Sequence, residues 1–252
     1  FIGFGIIAAS IMLPLCMVFA RKPPALETLN AAEDLDGTDS QGNARRGARK
    51  SDTSLSMFQL QMVLCAAIIG CCISMSLPLA HLVAHATDKG LPLTDAVTVL
   101  SVTLMAAFVS RVLLVGFLSD RFGGLWALFA FSALQAAMVG LLTASDSVAV
   151  LYIVGIGFGL GYGGIFPVYA VIVREYMPPQ EAGRRTGIVF LFGALAMGFG
   201  SWMGGALFDS TGSYTTPFLL GVAANCVNLV IVGMLLTRTK KSEPPEPVGA
   251  AA

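Results

Sequence analysis

Long apolar runs alternate with short polar breaks along most of the chain. Seven runs are long enough to cross the hydrocarbon core of a bilayer, which takes about 20 residues of α-helix. The predicted helices are residues 1–20, 57–84, 93–118, 125–144, 147–174, 186–208 and 215–237. The pattern therefore predicts an all-α, multi-pass membrane protein with seven transmembrane helices, surrounded by the lipid bilayer.

Two polar stretches interrupt and end this pattern. Residues 21–56 open with Arg21, Lys22 and two prolines, and then pass from an acidic part to a basic part. Such a composition cannot bury a core, so we expect a disordered linker; contact of its basic half with anionic lipid is the alternative. The predicted organisation is one helix (1–20), the linker (21–56), a six-helix bundle (57–238) and a polar tail (239–252).

The charges of the loops predict how the helices are oriented. Of the 15 Lys and Arg residues, all but Arg111 and Lys89 would lie on one side of the membrane if the helices alternate. Cytoplasmic loops are enriched in Lys and Arg. We therefore expect the linker and the tail to be cytoplasmic, in a plasma membrane or an inner membrane.

Composition supports a membrane location and argues against several other classes of protein. Apolar residues make up 56% of the chain and charged residues only 12%, which is about half the charged share of soluble domains. The net charge is zero and no basic patch carries interleaved aromatics, so nucleic acid is not an expected partner. All five cysteines lie in apolar runs without ligand spacing, which favours buried thiols over a metal or redox site. The sequence contains no nucleophile–base pair of the kind that would indicate an enzyme, and no cofactor is expected.

Arg111 is the one fully embedded charge in the predicted helices. It lies nine positions before Asp120, near the helix end, which corresponds to a depth of about 13 Å. A charge at this depth is costly and by default indicates a functional site facing a polar cavity. A guanidinium there suits a carboxylate, which it can hold with two parallel hydrogen bonds. The alternative is a structural role, in which the side chain reaches the interface or pairs with a helix end.

Six glycines before Pro167 mark the fifth helix of the seven, at positions 155, 157, 159, 161, 163 and 164. Two staggered series of small residues at four-residue spacing predict close packing on two faces, and Pro167 adds a bend. The run also satisfies a dinucleotide-binding spacing, but no strand precedes it, so we reject a nucleotide site. Tyr162 and Tyr169 offer hydroxyl groups on this helix, with ordinary packed or interfacial tyrosines as the alternative.

Two polar features near the helix ends complete the set of candidates. His81, at the predicted outer end of helix 57–84, can titrate near neutral pH and serve proton coupling, or be an ordinary interfacial histidine. Residues 116–123 form a charged turn with the sequence GFLSDRFG. Its glycines allow close backbone approach, while Asp120 can face a helix N-terminus and Arg121 can pair nearby.

The turn at 116–123, placed at the cytoplasmic end between two helices, resembles the signature loop of the major facilitator superfamily. Two further stretches, IVREYMPPQEAGRR at 172–185 and DSTGSY at 209–214, resemble the monocarboxylate-transporter-like branch of that superfamily. The resemblance covers about residues 75–237. It implies the C-terminal half of a twelve-helix transporter, preceded by the last helix of an N-terminal half that is missing here.

The resemblance also implies roles for particular residues. In that family the loop acts as a conformational latch, which implies gating by four positions: Gly116, Asp120, Arg121 and Gly123. In the monocarboxylate branch an arginine of the equivalent helix binds the substrate carboxylate, which implies this role for Arg111, with Tyr162 and Tyr169 as further substrate contacts. That arginine stands four residues before the first glycine of the loop, whereas Arg111 stands five before Gly116. One residue corresponds to about 100° on a regular helix.

The leading hypothesis is a secondary active transporter for a small organic anion, coupled to protons and working by alternating access. A membrane sensor or interaction protein of the same fold, without transport, is one alternative. An incomplete half-transporter that is inactive alone is the other.

Overall fold

The computed structural model describes residues 55–144 and 147–239, together with Ser10 and Pro14. Within these ranges eight α-helices follow one another: α1 (Met57–Asp88), α2 (Leu93–Val109), α3 (Val115–Phe122), α4 (Gly124–Thr143), α5 (Val148–Gly163), α6 (Ile165–Tyr176), α7 (Ala182–Thr211) and α8 (Thr215–Arg238). A π-helical turn, Ser110–Leu114, joins α2 to α3, and a 3-10 turn, Pro179–Glu181, precedes α7. All eight helices belong to one compact unit, Ala48–Ala252.

Six helical segments in the described ranges are long and apolar enough to cross a membrane: Met57–Asp88, Leu93–Phe122, Gly124–Thr143, Val148–Tyr176, Pro179–Thr211 and Thr215–Arg238. Each corresponds to one of the six helices predicted from residue 57 onwards, so the all-α membrane class is confirmed. The predicted helix at 1–20, the linker and the tail lie outside the described residues, apart from Ser10, Pro14, Leu55, Ser56 and Thr239.

Helix α1 lies at the centre of the bundle, packed against α7 and α8. It begins with a capping box, in which Ser56 and Gln59 exchange side-chain to backbone hydrogen bonds of 3.0 and 3.2 Å. Small residues bring its neighbours close: Gly200 of α7 lies against Ser76, and Gly221 of α8 lies against Leu77. Because hydrophobic burial does not drive association within a membrane, such close backbone packing holds the bundle together.

Buried amide side chains connect the helices of the core. Gln135 of α4 donates to the backbone carbonyl of Cys71 on α1 at 3.1 Å. Asn225 of α8 donates to the carbonyl of Ser132 on α4 at 3.0 Å. Cys71 is buried, like Cys65 and Cys72, as the sequence predicts for thiols in apolar helices. Cys226 of α8 is exposed, so the prediction of a buried thiol is wrong there. Interhelical hydrogen bonds of this kind fix the rotation of α1, α4 and α8 about their axes.

Candidate functional site

The glycine-rich helix α5 lies between α2 and α4. A Cβ atom at Gly155 or Gly159 would overlap atoms of Thr103 on α2, and one at Gly163 would overlap Ala107. The second series of glycines faces α4, where Gly157 meets Met138 and Gly161 meets Gln135. The two packing faces predicted from the glycine spacing are therefore confirmed.

Two backbone carbonyl groups near the end of α5 lose their regular helical partners. The carbonyl of Gly163 would accept from the residue four positions later, but that residue is Pro167, which has no N–H. The carbonyl of Leu160 would accept from the N–H of Gly164, which instead donates to Tyr162 where α5 ends. Unpaired backbone acceptors inside a membrane are costly, so both carbonyls need donors from another helix.

Ser110 and Arg111 of the π turn supply these donors. The hydroxyl of Ser110 donates to the carbonyl of Leu160 at 2.7 Å, and Nε of Arg111 donates to the carbonyl of Gly163 at 3.0 Å. Arg111 therefore sits at the C-terminal end of α5, where the partial negative charge of a helix favours a cation.

The π turn also changes how the spacing around Arg111 must be interpreted. Its backbone closes from the N–H of Val115 to the carbonyl of Ser110, so the turn contains one residue more than an α-helical turn. The rotation of about 100° expected from a spacing of five residues applies only to a regular helix. In this chain the additional residue between Arg111 and Gly116 is accommodated by the widened turn.

The guanidinium of Arg111 is exposed near the middle of its membrane-crossing segment. Eleven residues separate Arg111 from Phe122 at the end of Leu93–Phe122, which corresponds to about 16 Å. Within the described ranges Arg111 makes no ion pair, and its one hydrogen bond uses Nε. Its two Nη groups therefore remain able to bind an anion from the exposed side.

The two candidate tyrosines occupy different environments. Tyr162 is buried, packs its ring 5.1 Å from that of Phe158, and interacts electrostatically with Arg111. Tyr169 is 0% exposed, close to Cys71 and Cys72 of α1, and its hydroxyl has no hydrogen-bond partner in the described part of the chain. The structure thus brings Tyr162 close to Arg111, but not Tyr169.

His81 joins α1 to α7 and to the turn before α8. Its Nε2 lies 2.9 Å from the carbonyl of Ser201, and its ring centroid is 5.3 Å from that of Tyr214. Because a carbonyl only accepts, Nε2 carries the hydrogen and Nδ1 is the atom that can take up a proton. His85, one turn later, is buried and presents its ring edge-on to Tyr214 at 5.9 Å.

Burial raises the pKa of Tyr214, and the carboxylates of Asp88 and Asp209 act in the same direction. The phenol therefore stays neutral at physiological pH.

Most of the predicted charged turn is helical, because residues 116–122 lie in α3, and the chain turns only at Gly123, in a conformation that requires glycine. Gly123 has φ +88°, which residues with a Cβ rarely adopt, and α4 begins directly after it. Asp120 and Arg121 are exposed, and neither forms an ion pair with another described residue. Arg121 instead lies 5.8 Å from the ring centroid of Phe122.

The N-terminus of α4 is bound by Glu175 rather than by Asp120. The N–H of Gly124 donates to both carboxylate oxygens of Glu175, at 3.3 and 3.1 Å. A carboxylate is favoured at this position by the partial positive charge of the helix end. Glu175 thus connects the end of α6 to the start of α4.

The family model of the Major Facilitator Superfamily matches residues 62–252. The chain belongs to this superfamily. Membership in a family of membrane transporters accounts for the six apolar segments and supports a role in membrane transport.

Individual transporters resemble the chain in sequence or in fold. Monocarboxylate transporter 13 of Rattus norvegicus and that of Bos taurus are each 28% identical over 163 residues, which is 64% of this chain and 37% of each relative. A crystal structure of an auto inhibited POT family peptide transporter superposes with a TM-score of 0.58 at 17% identity, over 74% of this chain and 39% of that one. The likeness to the monocarboxylate transporters extends to the sequence, whereas the likeness to the peptide transporter concerns the fold alone. This superfamily chain spans little more than a third of the length of these curated relatives.

Two residues that make defined contacts between helices, Ser110 and Glu175, were not singled out from the sequence. Ser110 resembles any helical serine in sequence, and only the position of α5 reveals what it binds. Glu175 lies in the REY segment that suggested the family, but its partner Gly124 is 51 residues away. The signal available for Glu175 was an acidic residue at a helix end, next to a predicted loop.

Proposed function

We propose that this chain is the C-terminal half of a secondary active transporter, which carries a small monocarboxylate-like anion with a proton by alternating access. The proposal rests on the exposure and the hydrogen bonding of Arg111. Its guanidinium is exposed in mid-span, held through Nε by Gly163, and without a carboxylate partner among the described residues. The names of the relatives, monocarboxylate transporters, support the choice of substrate class.

The geometry of the guanidinium favours a carboxylate as substrate. When Nε is occupied, the two Nη groups still form a planar fork that matches the two oxygens of a carboxylate. A cation facing lipid at this depth would be strongly disfavoured, so the exposed side of the π turn faces a polar path. In a complete transporter that path lies between two half-bundles, and the N-terminal half is the partner that would close it.

Tyr162 and Tyr169 have different parts in this proposal. Tyr162, close to Arg111, is a candidate contact for the bound anion. Tyr169 is enclosed within the half-bundle and reaches a substrate only if the helices around it move.

Proton coupling is assigned to His81 and gating to the charged turn. The Nδ1 atom of His81 is the proton acceptor, while Nε2 stays bound to Ser201. Asp120 and Arg121, exposed at the cytoplasmic end, are available to pair with the opposite half when the inner side closes. Gly123 supplies the backbone turn, and Gly116, with nothing within 4 Å of the position a Cβ would take, leaves room for the opposite half to approach on closure.

Uptake by the full-length protein in proteoliposomes tests the role of Arg111. With radiolabelled lactate and an inward proton gradient, we expect Arg111→Gln to raise KM about tenfold to a hundredfold, because a charged hydrogen-bonded pair is lost. Arg238→Gln, which removes an exposed arginine at the end of α8, is the matched control and should leave KM unchanged. Unchanged KM in Arg111→Gln would remove the substrate role.

The same vesicles distinguish proton coupling from transport itself. We expect His81→Gln to abolish stimulation by the proton gradient while exchange of internal for external lactate continues. Gradient-driven uptake equal to that of the wild type would refute the assignment. If the folded wild-type protein takes up no organic acid, the sensor hypothesis replaces the transporter hypothesis.

A further inference from the structure

Two neighbouring side chains of the π turn bind two carbonyl groups of the same partner helix. Ser110 and Arg111 are consecutive, yet both donate to α5, at Leu160 and Gly163. On a regular α-helix consecutive side chains point about 100° apart. Both hydrogen bonds to α5 thus start from the widened turn, one from a short side chain and one from a long side chain.

The two side chains differ in their access to a substrate. Ser110 is 0% exposed, so its hydroxyl serves only the carbonyl of Leu160. Arg111 is exposed and keeps its Nη groups unoccupied within the described ranges. Ser110 thus lies directly beside the anion-binding group without being able to contact the anion.

We propose that Ser110 is the positioning residue for Arg111. By binding Leu160 it holds the π turn open, which places Nε of Arg111 on Gly163 and directs the Nη groups toward the exposed side. Without the hydroxyl, the turn can close to a regular α-helical turn, and the guanidinium then leaves Gly163. This inference rests on the proposed function, because it assumes that Arg111 binds the substrate.

A serine-to-alanine substitution with a matched control tests the proposal. In the full-length protein in proteoliposomes, we expect Ser110→Ala to raise KM for radiolabelled lactate about three- to tenfold, the effect of one lost hydrogen bond. The maximal rate per folded transporter should stay within about twofold, because the turnover machinery is intact. Ser101→Ala, which removes an exposed hydroxyl bonded within α2 to Val97 at 2.9 Å, should change neither value. An unchanged KM in Ser110→Ala, or an equal rise in Ser101→Ala, would overturn the proposal.

A second variant covers the case in which Ser110→Ala folds poorly. Ser110→Cys preserves the shape of the side chain, but its S–H is a weak donor, so KM should again rise. If Ser110 had a purely structural role, its variants would give less folded protein and a lower maximal rate, with KM unchanged.

The failure of this inference and the failure of the proposed function have different signatures. If Arg111→Gln raises KM and neither Ser110 variant does, only the positioning role is wrong. If Arg111→Gln leaves KM unchanged, or the wild type transports no anion, both proposals are wrong.

Discussion

At the scale of single residues, the missing N–H of Pro167 accounts for the hydrogen bond that holds Arg111. Pro167 cannot donate to the carbonyl of Gly163, and the guanidinium supplies the donor instead. A helix C-terminus also favours a positive charge, so the cation is stabilised without a carboxylate next to it. Its binding capacity for an external anion is therefore retained.

The glycines of α5 provide a prediction at the same scale. A Cβ at Gly159 would overlap the backbone carbonyl of Thr103, which cannot rotate away. We expect Gly159→Ala to lower the free energy of unfolding by about 1–3 kcal/mol, the usual effect of overpacking. Thermal unfolding of the full-length protein in detergent measures this change.

Gly198 provides the matched control for Gly159→Ala. It also lies inside a membrane helix, but nothing lies within 4 Å of the position a Cβ would take. Gly198→Ala should be neutral or stabilise the protein by up to about 1 kcal/mol, since alanine is the better helix former. Equal destabilisation by both substitutions would contradict the packing argument.

Sequence spacing predicted the packing faces of α5 but not the π turn. Glycines four residues apart must share a helix face, so their pattern needs no knowledge of neighbours. The widened turn depends on the freed carbonyls of Leu160 and Gly163, which lie about 50 residues away in sequence. The complete burial of Tyr169 likewise depends on which side of α6 packs against its neighbouring helices, and hydroxyl chemistry does not reveal that.

At the scale of elements, the structure separates two roles that the sequence had assigned to the one turn at 116–123. The contact between Glu175 and Gly124 fixes α6 to α4 within the half-bundle. Asp120 and Arg121 point to the exterior and make no ion pair in the described ranges. Stability around this turn therefore depends on Glu175, and the proposed gating depends on Asp120 and Arg121.

Two isosteric substitutions separate these roles. We expect Glu175→Gln to lower the free energy of unfolding by about 0.5–2 kcal/mol, because it removes the charge at the α4 N-terminus, with little change in transport per folded protein. Asp120→Asn should leave the thermal midpoint unchanged and lower the maximal rate of lactate uptake, since only closure of the inner side is impaired. Thermal unfolding and uptake kinetics on the same preparations measure both. A reversal of this pattern would show that Glu175 is the gating residue.

At the scale of the whole molecule, apolar run length was enough to locate the six described membrane segments. Their ends were less predictable: the segment predicted at 186–208 extends over Pro179–Thr211. Polar residues such as Glu181 and Arg185 satisfy each other within its first turns, at 2.8 Å, so the helix continues past the apolar run.

The orientation of these six segments remains a prediction from charge and can be measured directly. Gln180 and Ser213 are both exposed, in the turns before α7 and before α8. The positive-inside rule places Gln180 in the cytoplasm, beside Arg184 and Arg185, and Ser213 outside.

In intact cells an impermeant maleimide should therefore label Ser213→Cys, and it should label Gln180→Cys only after permeabilisation. The wild type is the control for labelling of its own cysteines, because Cys65, Cys71 and Cys72 are buried but Cys226, inside the membrane segment Thr215–Arg238, is exposed. Labelling of Gln180→Cys alone in intact cells would invert the orientation, and it would place Asp120, Arg121 and the proposed gate on the outer side.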